Sequence, residues 1–65
     1  LSERVTIVDP AGFAHVVEVY AGQLYGHENL AQALDAHPSQ RHALCVQLAV
    51  LAFQGKALPA GFYVK

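Results

Sequence analysis

The chain has 65 residues, 54% of them hydrophobic, and a formal net charge of −1. That length allows one domain, spanning residues 1–65, which buries only about 60% of the surface its unfolded form exposes and needs some further source of stability. The charge excludes two partner classes, nucleic acid and membrane: four Lys and Arg residues scattered along the sequence cannot displace the counterions of a nucleic acid or hold an anionic bilayer.

Small domains usually gain stability from disulfides, metals or oligomerisation. An intrachain disulfide is ruled out, because Cys45 is the only cysteine. Inside an apolar stretch it reads as a small buried hydrophobe, and a lone free cysteine suits a reducing, cytoplasmic location. So high an apolar fraction in so small a chain points to an oligomer or an apolar interface. The run Ala43–Phe53 is interrupted by Gln47 and too short to span a bilayer. No secretory leader is visible, since Leu1-Ser2-Glu3-Arg4 opens a strand-like stretch. The missing initiator methionine is read as trimming, excision from a longer chain or incomplete order at the start.

Arg4-Val5-Thr6-Ile7-Val8 alternates and is rich in β-branched residues, which predicts a strand. Asp9-Pro10-Ala11-Gly12 supplies a turn, with aspartate, proline and glycine each at a favoured position. Phe13 to Tyr20 returns as the second strand of an antiparallel hairpin. By parity Phe13, His15, Val17 and Val19 share one face with Val5 and Ile7, and that face is expected to meet the longest helix. Ala14, Val16, Glu18 and Tyr20 share the other, which is half apolar and expected to be partly covered.

A second element, a helix from Leu24 to Ala36 or His37, is expected next. It would place Leu24, His27, Leu30, Ala31 and Leu34 on one face, with Gly26 as an interior glycine costing about 1 kcal/mol. A start at His27, leaving Gly26 outside, is the alternative. Pro38 ends this helix because it disfavours helical geometry in the preceding residue.

The longest helix is predicted from about Gln40 to Gln54, capped by Ser39 and stopped by Gly55. Gln40, Gln47 and Gln54 make one narrow polar stripe on a helix otherwise apolar all round. Such a helix should be packed on nearly every side, by a second copy or another protein. Lys56 to Gly61 is a turn-rich connector, and Phe62-Tyr63-Val64 is a short strand that joins the hairpin or crosses to a neighbouring subunit.

Hairpin Val5–Tyr20, helix Leu24–Ala36 and the run Ala52-Phe53-Gln54-Gly55-Lys56-Ala57-Leu58 stand in an order that resembles the ubiquitin-like β-grasp family. The resemblance covers the chain loosely and implies a strand over Leu44 to Phe53. Alternation of Leu44, Val46, Leu48 and Val50 permits that strand; three alanines and the capping serine favour a helix. The C-terminal di-glycine of conjugated members is absent, so conjugation does not carry over.

Four histidines are the first residues to weigh for chemistry. Zinc takes three or four converging ligands. No histidine pair at i, i+4 and no Cys-x-x-Cys occurs, and neither Glu28 with His27 nor Asp35 with His37 is expected to converge. His42 and Cys45, at i, i+3, are the one nucleophile–base pair, but apolar neighbours surround Cys45. No phosphate-binding glycine loop is present, and so small a chain is expected to lack room for a substrate pocket without oligomerising.

The expected fold is therefore α+β: hairpin, two helices and a short last strand, ββααβ, with the β-grasp as its alternative. The expected function is a small non-catalytic protein-binding module (regulator, adaptor or inhibitor) acting as a homodimer through the longest helix or the sheet, without cofactor or metal. Its expected interface residues are Tyr20, Tyr25, Gln47, Leu51, Phe62 and Tyr63, chosen for aromatic area at element ends and for the polar stripe. The alternative is a small enzyme or metal-dependent domain using His42 and Cys45, or histidines assembled across a dimer.

Overall fold

The structure, a computed structural model, describes residues 2–65; Leu1, read above as opening the first strand, lies outside the described residues. Strands β1 (Ser2–Val8) and β2 (Ala14–Tyr20) form the hairpin, and β3 (Gln23–Tyr25) follows. A 3₁₀ helix (His27–Ala33), helix α1 (Pro38–Phe53) and strand β4 (Tyr63–Val64) complete the chain. The sheet is antiparallel throughout, in the order β3-β2-β1-β4. This is the α+β domain the sequence implies, with one strand more.

The hairpin turn is built as its residues suggest. The Gly12 N–H donates to the Asp9 carbonyl at 2.9 Å. Gly12 takes φ +92, the left-handed conformation that reverses a chain at no steric cost to glycine. Register then pairs Val5 with Val17 and Ile7 with His15, so Val5, Ile7, His15 and Val17 share a face as parity predicts. Phe13 departs from that set in burial: it sits at the hairpin tip, beyond the helical cover, and is 68% exposed.

In the middle of the chain the helix start at Leu24 is overturned, and the alternative start at His27 is the one observed. Gln23-Leu24-Tyr25 is a strand, not the first turn of a helix, because β2 offers it a free edge from Glu18 to Tyr20. Gly26 lies outside the helix, at φ +84, and a Cβ there would stand 2.5 Å from the Val16 carbonyl oxygen. Only glycine fits so close an approach. Finally, His27–Ala33 winds as a 3₁₀ helix, whose side chains eclipse every third residue. Leu30 is its one buried residue, with His27 and Ala33 half-buried on the same side.

Helix α1 begins two residues earlier than predicted, and Ser39 is not its cap. Pro38 occupies the first turn, where its missing N–H costs nothing, and His37 caps instead by accepting from the Ser39 N–H at 3.2 Å. At the other end Lys56 N–H donates to Leu51 O at 3.0 Å and Gly55 N–H to Ala52 O at 3.1 Å, with Gly55 at φ +71. That pair of bonds is a Schellman motif, which satisfies carbonyls the helix end would leave bare. A helix here removes the β-grasp alternative, which needs a strand over Leu44–Phe53.

The core lies between the inner sheet face and the two helices: Ile7, Val17, Leu30, Cys45, Leu48, Ala49, Ala52 and Phe62. Helix α1 buries one stripe, and its Ala43, Gln47 and Val50 face outward. No helix of the described residues is long and apolar enough to cross a membrane.

Candidate functional site

Residues directly opposite in an antiparallel ladder point to the same side of the sheet. Tyr20 stands opposite Ser2 and Gln23, Tyr25 opposite Glu18, Val16 opposite Thr6, and Tyr63 opposite Val8. All of these belong to the face turned away from the helices. Tyr20, Tyr25 and Tyr63 are thus brought to one surface from three strands, with exposures of 55, 49 and 56%. Val16, between them, is 54% exposed. Arg4 and Glu18 lie side by side on the same face, Nε to Oε2 3.8 Å, a solvated pair of small energetic weight.

The other three expected interface residues are not part of this surface. Phe62 is buried in the core, a correction to its reading as an interface anchor. Its place is settled by β4, which pairs with β1 and draws the preceding residue inward. Gln47 and Leu51 are on α1, on the opposite side of the sheet; Gln47 is exposed and Leu51 half-buried.

Gln47 borders a second surface, which sequence reasoning missed. An apolar groove of ≈ 360 Å³ lies between α1, the segment after the 3₁₀ helix and the loop before β4, lined among others by Leu34, Ala36, Leu44, Leu48 and Phe62. The expectation that so small a chain has no room for a pocket is therefore wrong. The groove arises because the last ten residues fold back beside α1, and no local pattern encodes that return.

Chemistry-bearing side chains gather in two places. Around the turn, Asp9 Oδ1 accepts from the Ala11 and Phe13 N–H groups, both at 2.9 Å, and Oδ2 lies 2.8 Å from His15 Nε2. The His15 hydrogen bond, helped by the two backbone donors, holds the buried Asp9 carboxyl below its ordinary range despite the opposing effect of desolvation. This network fastens the hairpin, and its carboxylate is already fully engaged.

Between the helices, the rings of His27 and His42 meet edge to face with centroids 5.6 Å apart. His27 Nδ1 is buried and makes no hydrogen bond, although Glu28 Oε2 approaches to 3.3 Å. The sequence reading that Glu28 and His27 cannot converge is thus corrected: the flexible glutamate bends back, yet out of line for a hydrogen bond. Cys45 is fully buried, and burial, with a smaller push from the Glu28 charge, raises its thiol above the ordinary range. A thiol so placed lacks the thiolate fraction and access a nucleophile needs. Among the described residues no group of three or more His, Cys, Asp or Glu is placed to hold a metal ion.

No protein-family model, curated protein or solved structure matches this chain.

Proposed function

We propose that the chain is a non-catalytic protein-binding module, a regulator, adaptor or inhibitor, that acts as a homodimer through the open face of its sheet. The observation that carries this reading is that Tyr20, Tyr25, Tyr63 and Val16 all lie on one solvent-facing side of the sheet. Tyrosines join broad apolar area to a polar tip and are enriched where proteins meet. A two-fold interface must complement itself, and Arg4 beside Glu18 supplies both signs of charge on that face.

Light scattering across a concentration series tests the proposal, with the Tyr20→Ser/Tyr63→Ser double variant beside the wild type. The expected result is a wild-type dimer and a folded monomeric variant, whose melting temperature is lower by what dimerisation contributes and no longer depends on concentration. A wild type that stays monomeric, or a variant that stays dimeric, overturns it.

The second reading, a metal-dependent or small catalytic domain, has the His27–His42 contact behind its metal form, while the burial of Cys45 speaks against its catalytic form. Titration with zinc, followed by the histidine ring resonances, decides it: no shift of His27 and His42 together ends this reading.

A further inference from the structure

Strand β1 pairs with β2 along its whole length, from Ser2 to Val8. On its other edge β4 covers only Ile7 and Val8, and the Lys65 N–H adds one bond to the Thr6 carbonyl at 2.9 Å. That bond shows which way the backbone of Thr6 faces. In an antiparallel ladder backbone groups turn to alternate sides, residue by residue. Arg4 and Ser2 therefore send their N–H and C=O groups to the same outer edge as Thr6, while Glu3 and Val5 turn theirs to β2. Among the described residues nothing pairs with Ser2–Val5 on that edge.

We propose that this edge is a strand-addition site for an extended segment of another protein, entering antiparallel to β1 and in line with β4. Only an extended backbone presents donors and acceptors at the matching two-residue repeat of about 6.6–6.8 Å. The charges say which strand. Glu3 projects on the inner side and Arg4 on the outer. Two copies of β1 that pair most of this segment must set Glu3 against Glu3 or Arg4 against Arg4, and like charges directly opposite are destabilising. The edge thus rejects its own twin. It accepts a foreign strand with a basic residue opposite Glu3 and an acidic one opposite Arg4, where Glu18 is already a neighbour. This site is separate from the tyrosine face and extends the sheet sideways.

The test uses a short capped peptide with valine, glutamate, lysine and threonine in that order, opposite Val5, Arg4, Glu3 and Ser2. A control peptide exchanges the glutamate and the lysine. Amide hydrogen exchange of the whole chain is read by NMR with each peptide in excess. The expected result is about tenfold slower exchange of the Arg4 amide with the first peptide, and less with the control. Arg4→Pro removes the edge donor without touching the β2 ladder, a position where proline is tolerated, and should abolish peptide-induced shifts. Arg4→Glu, which keeps the backbone intact, leaves each peptide one favourable and one like-charge contact and should abolish the preference, and the Glu3→Lys/Arg4→Glu double variant should reverse it. With the wild type, equal protection by both peptides or protection by neither overturns the proposal, as does a preference that the double variant leaves unreversed. Tyr20→Ser should leave the peptide result unchanged, so failure here and failure of the homodimer are told apart.

Discussion

On β2, Val17 is fully buried in the core with Leu30 and Leu48, while its chain neighbour Val16 is 54% exposed. The two valines have the same propensity, the same strand and the same hydrogen-bonding ladder. What separates them is the alternation that turns one toward α1 and the 3₁₀ helix and the other toward solvent. Hydrophobicity thus acts differently on the two faces. On the inner face it supplies folding stability; on the outer face Val8 is buried, while Val16 and the three tyrosines stay about half exposed.

The sharpest way to break this comparison is to truncate one residue on each side. Leu30→Ala empties a fully buried site and should cost about 2–5 kcal/mol in urea unfolding. A small loss would mean the inner face is not the core. Gly26→Ala comes next. It forces a methyl group against the Val16 carbonyl at positive φ and should cost about 1–3 kcal/mol through strain, visible as a lower melting temperature. A neutral result would show that the 3₁₀ helix can shift away from β2.

Acid sharpens the comparison at the hairpin tip, where both faces end. A carboxyl held below its unfolded value of 3.8 contributes stability that is complete above about pH 4 and is lost as pH falls through the folded value. Unfolding followed from pH 7 to pH 2 should therefore show a loss at the acid end that Asp9→Asn removes. The same loss in the variant would place the acid sensitivity elsewhere. The smallest effects belong to the outward positions. Gln47→Glu, and Val16→Ala at concentrations where the chain is monomeric, should each stay within about 0.5 kcal/mol of wild type, and Gln47→Glu should leave the solution mass unchanged. A large loss at Gln47 would place the glutamine stripe inside an interface.

Much of the hairpin and of α1 is legible in the residues, because each is closed by local bonds. Asp9, Pro10 and Gly12 make the turn among themselves, and Gly55 and Lys56 end the helix by donating to carbonyls three and five residues behind them. Of the candidate surface, parity alone puts Val16 and Tyr20 together. That Tyr25 and Tyr63 join them depends on β3 and β4, two edge strands of three and two residues. Neither is long enough to carry a periodic signal. The His27–His42 contact was equally hidden, since it needs the 3₁₀ helix and α1 set side by side.

From its order of residues alone this chain commits to a turn at Asp9–Gly12, to strands of fixed parity around it and to a helix ending at Gly55. Such choices are made within a few residues, where steric limits and nearby donors act without help. Tertiary structure decided the rest. Gln23–Tyr25 became a strand because the edge of β2 could satisfy its backbone, and Gly26 turned left-handed because the Val16 carbonyl left no space for a side chain. Phe62 entered the core because β4 had an edge of β1 to hold. For Gln23–Tyr25 and Gly26 the deciding partner is the preceding strand, reached through the left-handed pair Ala21-Gly22. For Phe62 it lies distant in sequence, and a contact of that kind exists only once the chain has closed upon itself.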